Sequence, residues 1–335
     1  MKKSTRILLL SAKMSLVAGI LWYLIRSGKL DLSTLDLYFK DPMLIFVNLL
    51  VWFGGSLLLT SYRWNMLMKG MGLEIPLRRV VNLNFIGFFF NTIAPGAIGG
   101  DFVKAFYLYR DQKEGSKTPA MLAILLDRVV GLYCVFLIAT VAILSFLNHF
   151  SGNPTLATIA ACAVLGFATM TLGLLVLFLA RKPVESNALY RFLGRSYPGF
   201  AILQKIFLSL FLLKEKPSYF IKAVLAGIIY QLVYMSIFAF VTVRMGNPFS
   251  LPDFAAIFPV GFIVAALPIA PGGLGVGHLA FDQLFGIIGI LHGANIYNII
   301  FIGQSALNLL GLIPYLMLKK ESKSVPLVSE IKSSN

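Results

Sequence analysis

Residues 156–180 read LATIAACAVLGFATMTLGLLVLFLA, and this run contains no charged side chain. A second run, from Val129 to Phe150, is also free of Asp, Glu, Lys and Arg. A helix needs about 20 apolar residues to cross the hydrocarbon of a bilayer, whereas a membrane β-barrel shows short alternating segments. The two runs therefore predict an all-α polytopic membrane protein.

The composition of the whole chain agrees with this class. Of its 335 residues, 58% are hydrophobic and 13% are charged, whereas a soluble domain carries about 25% charged residues. The net charge of +15 would suggest a nucleic-acid partner in a soluble protein, but in a membrane protein its distribution predicts topology. We therefore expect no nucleic-acid partner. Cys134 and Cys162 lie inside apolar runs and predict neither a disulfide nor a metal site.

Basic residues divide the loops into cytoplasmic and external ones. The first apolar run ends without a small-residue cleavage pattern, so it is interpreted as an uncleaved span. Arg63, Lys69, Arg78 and Arg79 predict a cytoplasmic loop after the second span. Both termini are then cytoplasmic. The six predicted full spans cover about residues 7–25, 42–61, 119–147, 155–180, 220–243 and 296–318.

Two further apolar segments are each broken by a Pro-Gly pair. The segment 80–94 ends at Pro95-Gly96, and the segment 254–292 is interrupted at Pro271-Gly272-Gly273. The first is too short to cross, and the chain after it is too basic to be external. It therefore predicts a re-entrant hairpin entering from the cytoplasm. Non-helical backbone at membrane depth is tolerated where protein or a water-filled cavity covers it.

The two breaks also resemble each other. Residues 93–99 (IAPGAIG) and 269–275 (IAPGGLG) match at five of seven positions. Because the charges predict that the second hairpin enters from outside, the units at about 79–147 and 253–318 are predicted to form an inverted repeat. Such repeats with broken helices are typical of secondary transporters, and their half-helix ends suit an anionic group. The alternative is that the breaks are ordinary kinks and the match is chance.

Ionisable residues within the apolar segments are candidate site residues, because charged groups are costly in a bilayer. Asp101 and Lys104 are spaced i,i+3, so they share a helix face on which they are able to pair. In one interpretation Arg63, Lys104 and Arg128 receive a phosphate, while Asp101 and Asp127 keep the empty site neutral. In the other, Lys104 and Arg128 reach the cytoplasmic surface and only anchor their helices.

Enzyme signatures are missing from the sequence. Gly115-Ser116-Lys117-Thr118 is similar to the end of a phosphate-binding loop, but Arg110 stands where that motif needs its first glycine. His278 has no Cys or His companion, so no metal is expected there. We predict no catalytic residue, no cofactor and no metal. The predicted substrate-binding set is Arg63, Asn91, Pro95, Gly96, Gly99, Gly100, Asp101, Lys104, Asp127, Arg128, Pro271, Gly272, Gly273, Gly275, His278, Gln304 and Asn308.

Four motifs carry a resemblance to a known family. They are Arg63-Trp64, residues 91–101 (NTIAPGAIGGD), residues 127–132 (DRVVGL) and residues 267–276 (LPIAPGGLGV). With these, about residues 5–320 resemble the flippase-like family that includes the membrane domain of lysylphosphatidylglycerol synthase. The chain departs from the family at His278, where a glutamate is common.

The resemblance implies movement of lipids or lipid-linked head groups between leaflets. The expected partners are membrane lipids, either an anionic phospholipid or a polyprenyl-phosphate-linked lipid, and a separate soluble enzyme is a further candidate. We expect one membrane domain over 1–320 and a short tail over 321–335, with no room for an aminoacyltransferase domain. The expected location is a bacterial or archaeal plasma membrane. The alternatives to a flippase are a membrane subunit of a lipid-modifying enzyme and a small-solute secondary transporter.

Overall fold

The computed structural model describes residues 32–93, 99–111, 117–146, 154–179, 213–248, 250–266 and 274–324, with the isolated positions 22, 26, 152 and 211. These ranges are almost entirely helical and contain no β-strand, so the predicted all-α class is confirmed. The first predicted span lies outside the described residues, apart from Trp22. Both Pro-Gly breaks lie outside them as well.

The described chain contains ten main helices. Five stretches are long and apolar enough to cross a membrane, namely Pro42–Gly70, Pro119–Ser145, Pro154–Leu175, Pro217–Arg244 and Gly293–Leu318. They match five of the six predicted full spans within a few residues at most ends. The helices are α1 (Pro42–Gly70), α2 (Leu77–Ile93), α3 (Gly99–Asp111), α4 (Lys117–Ser145), α5 (Pro154–Leu179), α6 (Pro217–Arg244), α7 (Leu251–Ala266), α8 (Val276–Ile287), α9 (Gly293–Leu309) and α10 (Leu312–Ser324).

Helix α1 corrects one prediction. The sequence placed Arg63 and Lys69 in a cytoplasmic loop, but α1 continues through both residues to Gly70. Its last turns are buried, and Arg63 is only 7% exposed. A carboxylate from α4 neutralises Arg63, so this cation does not end the helix at the membrane surface. The middle of α1, Val51–Leu59, has π-helical hydrogen bonding, a form often found at functional sites.

Four of the shorter helices form two packed pairs. Helix α2 packs against α3, and the Arg79 guanidinium near the start of α2 bonds the Asp111 carboxylate at the end of α3. Helix α7 packs against α8 in the same way. The Asn247 side chain, just before α7, accepts a 2.6 Å hydrogen bond from the Leu291 amide, just after α8. Each pair therefore returns to the end at which it began. That these pairs re-enter a membrane stays a prediction.

Contacts between the long helices define the two ends of the bundle. At one end the Arg244 guanidinium lies 3.2 Å from the Asp41 carboxylate, which joins the start of α1 to the end of α6. At the other end Leu213 and Tyr219 pack against Gly70, which joins the end of α1 to the start of α6. The pair α2–α3 begins and ends at this second end, whereas the pair α7–α8 begins and ends at the first.

The contacts between the two repeat units are reciprocal. Helix α2 of the first unit contacts α9, which begins the last span of the second unit, and helix α7 of the second unit contacts the long helix α4 of the first. A two-fold axis between the units would require each contact of the first unit with the second to have a counterpart in the opposite direction. The inverted repeat itself stays a prediction.

Two apolar cores flank the centre of the bundle. One surrounds Trp64 and Leu67 and joins the end of α1 to α2, α3 and α4. The other surrounds Phe238, Phe258 and Phe281 and joins α6, α7 and α8. Both cores are well filled with aromatic and aliphatic side chains. Polar residues collect between them, and this is where the candidate site lies.

Candidate functional site

A cavity of about 490 Å³ lies between seven helices of the bundle. Seven of the predicted binding residues line it: Arg63, Asn91, Lys104, Asp127, Arg128, Gln304 and Asn308. These residues come from α1, α2, α3, α4 and α9, so sequence positions separated by more than two hundred residues meet at one place. The cavity volume falls in the range of small-molecule binding sites.

An ion pair between α1 and α4 forms one wall of the cavity. The Arg63 guanidinium donates two hydrogen bonds to the Asp127 carboxylate, from Nε to Oδ1 at 2.7 Å and from Nη2 to Oδ2 at 3.0 Å. The two side chains are only 9% and 15% exposed. Gly131 allows this approach, because a Cβ atom there would lie 3.2 Å from the guanidinium. A bidentate arginine–carboxylate pair is a strong and geometrically specific contact.

Asp101 lies between two cations. Its Oδ1 is 2.9 Å from the Lys104 ammonium, and its Oδ2 is 2.7 Å from the Arg128 guanidinium. The predicted pairing of Asp101 with Lys104 on one helix face is therefore confirmed. Helix α3 therefore places the Asp101 carboxylate against Arg128 of α4 and carries Lys104 one turn after Asp101.

Lys104 and Arg128 differ in exposure. Lys104 is 8% exposed, and its ammonium lies 5.0 Å from the centre of the Trp64 ring, within cation–π range. This burial does not support the interpretation in which Lys104 reaches the surface. The Arg128 side chain is 49% exposed and also lines the cavity, so it is the cation that a ligand meets most easily.

The part of the cavity away from Arg63 is polar but uncharged. Gln304 donates a 2.7 Å hydrogen bond to Asn48, and the Ser56 hydroxyl reaches the Gln304 carbonyl oxygen at 3.5 Å. Asn308 accepts a 2.8 Å bond from the Trp52 indole and donates a 3.1 Å bond to Thr92. Amides and hydroxyls from α1, α2 and α9 therefore form a neutral network here.

Sequence reasoning missed several residues that line the cavity. Gln231 on α6 is 2% exposed, and its Nε2 has no hydrogen-bond partner among the described residues. Asn84 donates to the Thr60 hydroxyl at 2.7 Å. The amide of Gln231 within the span α6 was a usable signal, since polar residues inside spans tend to be functional. Tyr230, Tyr234 and Phe262 complete this wall, and nothing in an apolar run singles them out.

Other predicted residues lie elsewhere. Gly100 serves close packing, because a Cβ atom there would overlap the Gly87 carbonyl oxygen, and its amide donates a 2.8 Å bond to Asn91. His278 is fully buried between its own helix and α9, with Nε2 3.1 Å from the Asn298 oxygen and Nδ1 accepting from the Gly275 amide at 3.3 Å. Neither His278 nor Gly275 is among the residues that line the cavity.

The remaining predicted residues belong to the two breaks. Gly99 is the first residue of α3 and is partly buried. Pro95, Gly96, Pro271, Gly272 and Gly273 lie outside the described residues. Their predicted role at the half-helix ends therefore stays a prediction.

Comparisons with known proteins identify the family. Residues 8–296 match the model of the family described as "Lysylphosphatidylglycerol synthase TM region". The chain belongs to this family. It is also 24% identical over 266 residues to "UPF0104 membrane protein PH1989" of Pyrococcus horikoshii. The matched region covers 70% of this chain and 74% of the relative. No solved structure matches. The chain is thus a multi-pass membrane protein, as the sequence predicted.

Proposed function

We propose that the protein is a lipid flippase in which an anionic head group crosses through the cavity while the acyl chains stay in the bilayer. The charge of the cavity carries this proposal. Three cations and two carboxylates meet inside a bundle of helices that are apolar enough to span a membrane. A charged group in hydrocarbon is costly, and a polar cavity lowers that cost for a head group on its way across.

Arg128 is the residue best suited to receive the phosphate. Its guanidinium lines the cavity, is half-exposed and is held by Asp101, which also contacts Lys104. An arginine binds phosphate through two parallel hydrogen bonds. A phosphate that displaces Asp101 from Arg128 leaves that carboxylate paired with Lys104. Each charge in the site then stays compensated, which avoids the large cost of an unpaired buried ion.

The arrangement of the short helix pairs supports a transport mechanism. They open at opposite ends of the bundle and make reciprocal contacts with α4 and α9. Inverted repeats of this kind alternate access to a central site from the two sides of a membrane. The proposal includes two re-entrant hairpins and both termini on the cytoplasmic side of a bacterial or archaeal plasma membrane, as the loop charges favour.

A second candidate function is suggested by the family description, which names the membrane region of a lipid synthase. In that case the protein would bind a lipid and present it to a separate soluble enzyme. The same cationic cavity would hold the head group, but the lipid would not change leaflet. The two functions therefore differ in one measurable property.

Leaflet exchange in proteoliposomes tests the proposal. Fluorescent phosphatidylglycerol is bleached from outside by a membrane-impermeant reductant, with and without an ion gradient. We expect bleaching beyond the outer-leaflet fraction for the wild-type protein. Arg128→Gln should slow it by about tenfold or more, because a charge-assisted hydrogen bond contributes about 1.5–3 kcal/mol. Arg110→Gln, which removes a cation outside the cavity, should behave as the wild type. Bleaching that stops at the outer-leaflet fraction under both conditions would contradict the flippase and favour the lipid-presenting subunit.

A further inference from the structure

The cavity has two chemically different halves. Arg63 lies seven residues beyond Ser56 on α1, about 10 Å along the helix axis. The cations and carboxylates lie at the level of Arg63, whereas Ser56 contacts Gln304 and marks the neutral half. Gln231 belongs between them, because Gly227, one turn earlier on α6, packs against Arg63. A ligand that fills the cavity therefore meets charge at one end and amides and hydroxyls at the other.

The charged half favours a ligand with one negative charge. Among the described residues, its three cations outnumber by one the two carboxylates that pair with them, namely Asp127, which lines the cavity, and Asp101, which does not. Residues 94–98 and 267–273 at the breaks contain no ionisable side chain. A phosphodiester carries one negative charge and balances this excess. A phosphomonoester carries about −1.5 to −2 at neutral pH and would leave an uncompensated anion.

The same half disfavours an ammonium group on the ligand. Both Asp127 oxygens accept from Arg63, and Asp101 stays paired with Lys104 when a phosphate takes its place at Arg128. In the described part of the chain, the neutral half offers no carboxylate as a partner for a cation. A zwitterionic head group would bring its ammonium into this half and leave it without a counter-ion, which is costly.

The neutral half instead suits hydroxyl groups. The Gln231 Nε2 is buried, lines the cavity and donates to no oxygen among the described residues. The Ser56 hydroxyl lies 3.5 Å from the Gln304 carbonyl oxygen, at the limit of hydrogen bonding, and it also hydrogen-bonds the Tyr230 hydroxyl. A buried donor without an acceptor costs about 1–3 kcal/mol, and a ligand hydroxyl would satisfy it.

From these observations we infer that the site selects a monoanionic phosphodiester lipid whose head group ends in neutral hydroxyls, such as a glycerol or a sugar. This inference rests on the proposed function and specifies its substrate class. The phosphate lies against Arg128, and the hydroxyls reach Gln231 and Ser56. Lipids with an ammonium head group, and lipids with a terminal phosphomonoester, are discriminated against.

Lipid binding in detergent micelles tests this selectivity apart from transport. Native mass spectrometry would compare phosphatidylglycerol, phosphatidylethanolamine and phosphatidic acid with identical acyl chains, and glycerophosphoglycerol as the head group without chains. We expect the affinity for phosphatidylglycerol to be at least about tenfold higher than the affinity for either of the other two lipids. Equal or tighter binding of either would overturn the inference. Glycerophosphoglycerol binding as tightly as phosphatidylglycerol would make a free solute the ligand and overturn the lipid substrate class.

Variants at Gln231 test whether the neutral half of the cavity determines this selectivity. Gln231→Glu adds a carboxylate, so we expect it to weaken phosphatidylglycerol binding and strengthen phosphatidylethanolamine binding. Gln231→Leu removes the amide, with its donor, without adding a charge and should weaken phosphatidylglycerol binding by about tenfold. Ser236→Ala, an exposed position on the same helix, serves as the matched control. Unchanged preferences in folded Gln231→Leu would overturn the inference. Tight phosphatidylglycerol binding without leaflet exchange would support the inferred head-group selectivity and reject the flippase.

Discussion

At the residue scale, Arg63 and Asp127 make a bidentate charge pair that is almost enclosed in the wall of the cavity. Asp127→Asn leaves the Arg63 guanidinium buried without its counter-ion, so we expect the variant to lose about 3 kcal/mol of unfolding free energy. Arg63→Met together with Asp127→Leu removes both charges and should recover most of that loss. Chemical unfolding in detergent micelles measures both. Equal stability of Asp127→Asn and the wild type would contradict the role of this pair.

Single residues also show how far sequence reasoning reaches at this scale. The i,i+3 spacing of Asp101 and Lys104 was enough to predict their contact, because a helix fixes that distance. The contact of Arg63 with Asp127 joins two helices and has no local signature. The sequence therefore identified the charged residues of the cavity but not their partners across helices. Gln231 was not predicted, although the uncharged Asn91 and Gln304 were, because only the structure shows that its amide lies at the cavity without a hydrogen-bond acceptor.

At the element scale, the pair α2–α3 depends on the contact of Gly87 with Gly100. A Cβ atom at residue 100 would overlap the Gly87 carbonyl oxygen, and backbone cannot move away as a flexible side chain does. We expect Gly100→Ala to destabilise the protein by about 2 kcal/mol. Gly173→Ala, at a helical position with open space around it, should be neutral or slightly stabilising. Thermal unfolding of both variants in the same detergent measures this difference in stability. Equal stability of the two variants would contradict the role of the Gly87–Gly100 contact.

The elements themselves were largely predictable. Long apolar runs predicted α4, α5 and α6 within a few residues, because span length follows directly from bilayer thickness. The end of α1 was misplaced, since a buried cation with a distant partner looks like a loop charge in sequence. The interruption of the last span near Gly311 was also missed. Its signal is weak, because glycine is common in membrane helices.

At the scale of the whole molecule, the ends of the bundle predict which loops share a side of the membrane. The turn after α1 lies with the start of α6, and the turn after α8 lies with the end of α6. In a background without native cysteines, Glu74→Cys should react with a membrane-impermeant thiol reagent only after permeabilisation. Leu291→Cys should react in intact cells. Labelling of both from the same side would reject the inverted arrangement.

The central claim is that lipid head groups pass through the cavity, and a reversible block tests it most directly. Leu132 lines the cavity, whereas Leu172 is exposed on α5 away from it. Each is replaced by cysteine in a Cys162→Ser background, because Cys162 is exposed and Cys134 is buried. The proteins are then labelled with a bulky reagent that forms a disulfide. Leaflet exchange of fluorescent phosphatidylglycerol is measured before labelling, after labelling and after release of the label.

The account predicts that labelled Leu132→Cys loses exchange and regains it when the disulfide is reduced. Labelled Leu172→Cys should exchange lipid at its unlabelled rate throughout. Unchanged exchange in fully labelled Leu132→Cys would contradict the account, because lipid would then cross the membrane by a route outside the cavity.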